Sequence, residues 1–167
     1  SGNSVTEHAV WNLLITGVSR SLTHELIRHR VGMGFSQLSQ RYVDESVAEY
    51  VEPDVIVNDP ECHAIWADAI SRAHAAYVNI ADKLNQKFAA DFIKCDLCDG
   101  TGKAWNYINR RCHKCDGDGK VNQLDSTSRR KAARQAARSV LPNATETKIF
   151  VTANARALRH FLEQRGS

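Results

Sequence analysis

The sequence predicts an α+β fold, in which strands and helices follow one another without a regular parallel repeat. Apolar, β-rich runs lie near both ends of the chain, and a long helical pattern fills the middle. Strands and helices that alternate irregularly are typical of antiparallel sheets packed against helices. With 167 residues and 43% hydrophobic residues, the chain is long enough to enclose one hydrophobic core.

The first part of the chain changes from strand to helix periodicity. The run HAVWNLLITGV, bounded by Gly17, is apolar and β-rich and predicts a strand. In the next run, SRSLTHELIRHR, Leu22 and Leu26 share one helical face, and Ser19 or Ser21 can cap the start. A strand followed at once by a helix is therefore expected.

A basic triplet, Arg28, His29 and Arg30, ends this predicted helix. Cations complement the negative end of a helix, but three in a row exceed what capping needs. Gly32 and Gly34 then allow the chain to turn, and the run FSQLSQRYV is expected to be a short extended segment. Basic groups and hydroxyls therefore meet at one turn.

The remaining elements are predicted from the spacing of apolar residues and from the prolines that interrupt it. VEPDVIVNDP predicts an extended run, and an apolar stripe from Ile65 to Leu84 predicts a helix over about 61–92. SRRKAARQAARSVLP predicts a helix that starts at a Ser or Thr cap and is ended by Pro142. TKIFVTAN predicts a strand and ARALRHFLEQR a final helix.

Four of the five cysteines form two C-x-x-C pairs, Cys95 with Cys98 and Cys112 with Cys115. Two such tight turns can bring four thiolates around one tetrahedral zinc ion, and the glycines after each pair relieve strain where the chain reverses. A redox dithiol and disulfides are the alternatives. Each half resembles the C-x-x-C-x-G-x-G repeat of DnaJ-type co-chaperones. A zinc site with four cysteine ligands has no open position, so we expect a structural role.

Charge and hydropathy restrict the other classes of function. The net charge of +3 suits small anionic ligands but is too small to indicate nucleic-acid binding. No stretch approaches the roughly 18 apolar residues that span a membrane, and the N-terminus lacks the pattern of a secretory signal. We therefore expect a cytoplasmic protein without a membrane segment.

Several blocks together carry a family resemblance: EHAVWNLLITGVSR, RHR followed by FSQLSQRY, ARSVLPNATETK and VTANARALRHFL. Their order and content resemble the flavin-dependent thymidylate synthase family, over nearly all the chain outside the cysteine segment. The resemblance implies a homotetramer with active sites between subunits. It also implies methylation of dUMP to dTMP, with carbon from methylenetetrahydrofolate and hydride from FAD, which NADPH reduces again.

The resemblance also implies the site residues. It assigns dUMP to Arg28, Gln37, Leu38, Ser39, Gln40, Arg41, Arg138 and Arg165. Glu25 lies one helical turn before Arg28 and could share the dUMP site. It assigns FAD to Ser4, Glu7, Arg28, His29, Arg30, Gln37, Asn154, Arg156 and His160. Arg165 is the implied catalytic residue, because its charge can stabilise the activated uracil ring. Ser39 is implied to bind the nucleotide rather than to act as a nucleophile.

The chain also departs from the family pattern. The stretch between the basic triplet and Ser39 is one residue longer, which Gly32 and Gly34 could absorb as a bulge. Both termini stop short of the family's domain, so a fragment is expected. We predict a synthase-like core at 1–92 and 126–167 and a projecting zinc insertion at 93–125.

Three alternatives remain open. The first is a catalytically silent relative that still binds nucleotide or flavin. The second is a nucleic-acid module in which Trp105 and Tyr107 stack on bases. Its phosphate contacts would be Arg110, Arg111, Lys114, Lys120 and the helix with Arg130, Arg134 and Arg138. The third is a protein-interaction module built on the cysteine turns. The second and third alternatives do not explain the family-like blocks on both sides of the insertion.

Overall fold

A computed structural model describes residues 4–104 and 110–166. The helices are α1 (Arg20–Leu26), α2 (Asp54–Val57), α3 (Pro60–Ala89), α4 (Ser126–Ala137) and α5 (Ala155–Arg165). The strands are β1 (Val10–Ser19), β2 (Met33–Gln37), β3 (Phe92–Lys94), β4 (Lys120–Asn122) and β5 (Glu146–Asn154). Both sheets are antiparallel, which confirms the predicted α+β class.

The chain forms two compact units. The first contains residues up to 74 and from 140 onward, and the second contains residues 75–139. The insertion expected at 93–125 lies within the second unit, and its boundaries stay a prediction. Among the described residues, no helix is both long and apolar enough to cross a membrane.

The first unit is built on a sheet of three strands in the order β1-β5-β2. β5 pairs with both neighbours and alternates strictly: Ile149, Val151 and Ala153 are buried, while the residues between them are exposed. This buried face packs against Leu26 of α1 and against Phe161 in the middle of α5. Period-two alternation in one strand therefore defines the core of the unit.

β1 is a long edge strand with a bulge. Ile15 pairs with Ile149 and Val18 with Thr147, so two residues of β1 stand opposite one residue of β5. Gly17 takes a positive φ of 68° in the bulge, and its N–H donates to a carboxylate oxygen of Glu146 over 2.9 Å. The predicted strand is confirmed, although it continues to Ser19 rather than ending at Gly17.

Several boundaries differ from the sequence predictions. The run predicted as extended around 51–60 contains the short helix α2, because Pro53 exposes a carbonyl to which the N–H groups of Ile56 and Val57 donate. α1 ends at Leu26, so the basic triplet follows the helix instead of forming its end. β2 ends at Gln37, and the residues after it leave the sheet.

Three further details were predicted differently. Asp125, and not a serine or threonine, caps α4, since its carboxylate accepts from the N–H groups of Thr127 and Ser128. α4 ends at Ala137, and a short 3-10 turn separates it from Pro142. β2 pairs regularly through Gly34, so the expected bulge does not occur there.

The predicted apolar stripe of α3 is buried only in part. Ile65, near the start of the helix, is 72% exposed. Tyr77 is 1% exposed and is the most deeply buried residue of the helix. In the second unit, Ala133 and Ala137 are the buried residues of α4. Small residues at this spacing allow close approach of whatever packs on that face of α4.

The two cysteine turns of the second unit pack against each other reciprocally. The N–H of Cys95 donates to the carbonyl of Gly119 over 2.9 Å, and the N–H of Cys112 donates to the carbonyl of Gly102 over 2.8 Å. β3 and β4 pair at the base of this segment. The repeated sequence therefore forms two similar turns that exchange equivalent hydrogen bonds.

Ile149→Ala is expected to lower the free energy of unfolding by about 2–5 kcal/mol, because it removes fully buried atoms and leaves a cavity. Urea unfolding followed by circular dichroism would measure the change. Lys148→Ala, at the exposed neighbour in β5, is the matched control and should stay within about 0.5 kcal/mol. Equal losses in the two variants would contradict the assigned buried face.

Gly102→Ala is expected to disrupt the cysteine turns. A Cβ atom there would lie 2.1 Å from the carbonyl oxygen of Gly117, so the backbone must move. Amide hydrogen exchange at Cys112 should accelerate by about tenfold or more, because its acceptor belongs to Gly102. Gly100→Ala carries the same positive-φ strain but meets only the flexible Lys94 side chain. An equal response in this control would show that strain alone is responsible.

Candidate functional site

The largest cavity described in the first unit has a volume of about 630 Å³. Such a volume is typical of small-molecule sites. Its lining comes from three separate segments of the chain: Glu7, Val31, Gly32, Asn154, Arg156, Ala157, Arg159, His160 and Glu163. Four of these residues, Glu7, Asn154, Arg156 and His160, are among those predicted to bind FAD. Residues almost 150 positions apart therefore line one cavity.

Asn154 connects the sheet to α5 at this cavity. Its side-chain oxygen accepts from the N–H of Ala157 over 2.9 Å and so caps the helix. Its own N–H donates to the carbonyl of Gly32 over 3.0 Å. Gly32 has a φ of 72°, and a Cβ atom there would lie 2.8 Å from the side-chain amide nitrogen of Asn154. Only glycine fits this close approach without strain.

Arg156 and Glu7 form an ion pair through one guanidinium nitrogen and one carboxylate oxygen. Both side chains are about half exposed, so the pair orients the guanidinium more than it stabilises the fold. Ser4, also predicted at the flavin, precedes the short 3-10 turn of Val5–Glu7, and its carbonyl accepts from the N–H of Glu7.

The basic triplet lines a second, smaller cavity of about 220 Å³. Arg28, His29 and Arg30 lie here, together with Val31, Met33, Ala157 and His160. Val31, Ala157 and His160 line both cavities, so the two adjoin. The ring of His29 stacks edge-on against Phe161, with a centroid distance of 5.1 Å. The triplet therefore reaches the same region as the N-terminal half of α5.

Glu25 and Arg165 meet beside a third cavity of about 190 Å³, whose other lining residues are Leu22, Leu26, His29 and Phe161. The guanidinium of Arg165 lies 4.0 Å from a carboxylate oxygen of Glu25, which also pairs with Arg28 over 3.3 Å. Glu25, Arg28 and Arg165, all predicted at the nucleotide, thus form one charged cluster at the edge of an apolar pocket.

The predicted nucleotide loop, Leu38–Arg41, follows the end of β2. Ser39 shapes it, because its carbonyl accepts from the N–H groups of Tyr42 and Val43. The guanidinium of Arg41 lies over the ring of Tyr42, 5.9 Å from its centroid. Arg41 itself is exposed, whereas Gln40 is buried. The residues of this loop are not among those lining the three cavities above.

Polar residues are buried beneath this loop. Gln37 donates from its side-chain amide to the hydroxyl oxygens of Thr23 over 2.9 Å and of Thr147 over 3.4 Å. Glu45, a few residues further on, is also buried. Burial raises the pKa of the Glu45 carboxyl above its ordinary value, an effect that the positive charge of Arg20 opposes.

The structure brings together most, but not all, of the predicted site residues. The predicted FAD residues outside Ser4 and Gln37 line the two adjoining cavities, and Glu25, Arg28 and Arg165 form one cluster. The loop with Ser39 and Arg41 belongs to neither set, because none of its residues lines the three cavities described above. Arg138 begins a 3-10 turn after α4 and belongs to the second unit.

Two charged residues of the largest cavity, Arg159 and Glu163, were not among the predicted site residues. They pair with each other over 3.6 Å and follow Arg156 at helical spacing, so periodicity along α5 could have identified them. The buried Thr23 and Thr147 gave no comparable signal, because short polar side chains are found at the surface as well.

The four cysteines of the second unit form a compact cluster. Cys95, Cys98, Cys112 and Cys115 are all buried, and their sulfur atoms lie within 4.8 Å of one another. The sulfurs of Cys95 and Cys112 are 3.9 Å apart, and those of Cys98 and Cys115 are 3.7 Å apart. Both distances are far longer than a disulfide bond of about 2.05 Å. This geometry can hold a metal ion.

Backbone donors already point at two of the sulfurs. The N–H of Gly102 donates to Cys98 over 3.3 Å, and the N–H of Gly119 donates to Cys115 over 3.2 Å. Burial alone would raise the pKa of Cys98, but the Gly102 N–H and the neighbouring thiols lower it to about 7. Burial raises the pKa of Cys115 to about 11. Cys98 is therefore the thiol that ionises more readily of these two.

Trp105 and Tyr107, considered as stacking residues for a nucleic acid, lie outside the described residues. Arg110 and Arg111 line an open depression together with Lys103 and with the carboxylates of Asp116 and Asp118. Acidic groups beside the arginines reduce the attraction for a phosphate backbone. This surface gives no specific support to the nucleic-acid alternative.

The chain as a whole is similar to known proteins. The family described as thymidylate synthase complementing protein, Thy1, matches residues 2–167. A flavin-dependent thymidylate synthase of Mycolicibacterium gilvum is 46% identical over 164 residues, which are 98% of this chain and 52% of that protein. Proteins of the same name from Mycolicibacterium vanbaalenii and Mycobacterium avium are 43% identical over the same shares.

The chain thus spans about half the length of the curated relatives that it matches. The family match, however, extends over nearly every residue, including the segments that line the cavities and the loop after β2. The chain therefore belongs to the Thy1 family of thymidylate synthase complementing proteins.

Proposed function

We propose that this protein is a flavin-dependent thymidylate synthase, which methylates dUMP to dTMP. Methylenetetrahydrofolate would supply the carbon, and NADPH would reduce the flavin. The observation that carries the proposal is the convergence of Glu7, Asn154, Arg156 and His160 on one cavity, next to the basic triplet. The names of the relatives support the same activity.

FAD would bind in the two adjoining cavities, and when bound it would supply the hydride that completes the methyl group. Guanidinium groups give charged, forked hydrogen bonds that suit a diphosphate. Arg28, Arg30 and Arg156 are exposed at these cavities and could provide them. Glu7 would hold the Arg156 fork in one orientation. The side-chain oxygen of Asn154 is already engaged as a helix cap, so this residue would offer its amide N–H₂ group.

Two groups of residues would share the nucleotide. Gln37, Leu38, Ser39, Gln40, Arg41 and Arg138 would bind dUMP and its phosphate, whereas Glu25, Arg28 and Arg165 would reach it from another side. None of the loop residues lines the cavity beside the Glu25–Arg165 cluster, and the family resemblance implies active sites between subunits. We propose a homotetramer, to which the exposed apolar side chains of Val10, Trp11, Leu14 and Phe150 could contribute buried surface.

Arg165 would act directly on the substrate. A fixed positive charge beside uracil stabilises negative charge that develops on the ring. Glu25, 4.0 Å away, would hold the guanidinium in position at the rim of the apolar pocket. Both side chains are more than half exposed, so water screens the pair and its role is to orient the guanidinium.

We propose that the cysteine cluster binds one structural zinc ion. In a regular tetrahedron with Zn–S bonds of about 2.3 Å, neighbouring sulfurs are about 3.8 Å apart. The two sulfur distances of 3.9 and 3.7 Å agree with this value. The likeness of each turn to a DnaJ-type repeat adds to the argument. Four sulfur ligands would leave no position for water or substrate.

The absorbance spectrum tests the proposed activity. The protein purified with FAD should retain a flavin band, and titration with dUMP should shift it, because the nucleotide would lie near the flavin. Arg165→Ala and Arg41→Ala should each raise the dUMP concentration needed for half of the shift by about tenfold or more, since each removes a charged contact. Arg72→Ala, which removes an exposed arginine of α3, is the matched control.

The possible outcomes separate the proposals. The protein could retain flavin and show the dUMP shift but form no dTMP when methylenetetrahydrofolate and NADPH are present. This result would favour the silent relative. Folded protein that retains no flavin would contradict the synthase activity and favour a fragment or a silent relative that binds the nucleotide alone.

Metal analysis tests the zinc site. We expect one zinc ion per chain, and Cys98→Ser should lose it because one of four thiolate ligands is missing. Cys62→Ser, which changes the exposed cysteine outside the cluster, should keep it. Removal of zinc by a chelator should unfold the second unit around the cysteines, as seen in faster amide exchange of Cys95 and Cys112. Two disulfides in the intact mass, without metal, would refute the site.

A further inference from the structure

A buried polar cluster lies beneath the predicted nucleotide loop and does not line the cavities. It consists of Arg20, Thr23, Gln37, Glu45 and Thr147, of which Thr23, Glu45 and Thr147 are buried. Buried polar groups are costly unless they are paired, so a cluster of this kind fixes the geometry of what it touches.

Thr147 is the acceptor at the centre of this cluster. Its hydroxyl oxygen lies 3.4 Å from the side-chain nitrogen of Gln37 and 3.5 Å from a guanidinium nitrogen of Arg20. The side chain is 2% exposed and shares the buried face of β5 with Ile149. Both donors are therefore tied to the central strand of the three-stranded sheet.

Arg20 also reaches the nucleotide loop itself. The same guanidinium nitrogen donates to the carbonyl of Leu38 over 3.4 Å. The backbone of Arg20 is fixed as well, since its N–H donates to the carbonyl of Thr145 over 3.0 Å. The positive charge lies close enough to Glu45 to lower the pKa of that carboxyl against the effect of burial. The Arg20 guanidinium thus holds the loop at its start.

The loop also has a buried hydrogen-bond donor that lacks an acceptor among the described residues. Gln40 is 7% exposed, and among the described residues no acceptor pairs with its side-chain nitrogen. A buried donor without an acceptor costs about 1–3 kcal/mol, so it points to an acceptor that arrives with a ligand.

We propose that Arg20 and Thr147 are positioning residues for the nucleotide: Thr147 holds the Arg20 guanidinium, which holds the backbone of Leu38 and thereby sets the conformation of Leu38–Arg41. The inference rests on the proposed function, because it assigns dUMP to this loop. Neither residue contacts the flavin cavities. Loss of the cluster should therefore weaken dUMP binding and leave FAD binding unchanged.

Replacement of Thr147 tests this inference in the FAD-loaded protein. Thr147→Val keeps the shape of the side chain but removes the hydroxyl. The dissociation constant for dUMP, read from the flavin absorbance shift, should rise about tenfold, as expected for the loss of one or two hydrogen bonds. The dissociation constant for FAD should stay within about twofold. Thr147→Ser restores the hydroxyl and should restore dUMP affinity.

Thr145→Val provides the matched control. Thr145 is also fully buried, but its hydroxyl donates to the carbonyl of Pro142 over 2.7 Å, not to the loop cluster. This variant should lose thermal stability while its dUMP affinity stays within about twofold of the original. Arg20→Gln provides a second route, because it removes the charged contacts without altering β5. It should reproduce the selective loss of dUMP binding.

The outcomes are distinct. Selective loss of dUMP affinity in Thr147→Val and Arg20→Gln, with recovery in Thr147→Ser, supports the inference. Parallel loss of dUMP and FAD affinity, or unchanged dUMP affinity in both variants, overturns it while the proposed function stands. Original protein that binds FAD but not dUMP overturns the inference together with the proposed function.

Discussion

The pairing of β5 on both of its edges is the constraint on which the first unit depends. One face of this strand is buried in the core, and its two ends position the surrounding parts. At its start, the Thr145 carbonyl holds the first turn of α1, and Thr147 accepts from Arg20. At its end, Asn154 caps α5 and binds Gly32. A strand paired on both edges is hard to displace, so the groups attached to it keep their geometry.

The two ends of β5 serve different ligands in the proposed function. Gly32, Asn154 and Arg156 meet at the C-terminal end, where the flavin cavities lie. Thr147 and Arg20 support the nucleotide loop at the other end. The length of one strand, at about 3.4 Å per residue, therefore sets the separation between the two sets of groups within one chain. Neighbouring subunits could then supply the missing contacts to each ligand.

Much of the fold followed from the sequence because its signals are long and regular. β1, α3, β5 and α5 each have enough periodic residues for the hydrophobic pattern to identify them. α2 was predicted as extended, since Val55 and Val57 favour strands while the preceding Pro53 starts a turn. The ends of α1 and β2 also differed, because single capping groups decide where an element stops.

Some parts of the candidate site could be predicted from the sequence, and others could not. The spacing of Cys95 and Cys98 with Cys112 and Cys115 was enough to predict the cluster, because tight turns leave few other arrangements. Arg165 was assigned to the nucleotide by the family resemblance and Glu25 by its helical spacing to Arg28, so no sequence signal joined these two residues directly. The polar cluster around Thr147 had no signal, since tertiary packing alone buries it.

The base of the cysteine segment has a consequence for how this unit could be altered. The N–H of Gln123 donates to the carbonyl of Asp91 over 3.0 Å, and β3 pairs with β4 next to this contact. The segment therefore leaves and rejoins the chain at nearly the same point. A short turn could connect the two helices that flank it, so the whole cassette can be exchanged, shortened or removed as one piece.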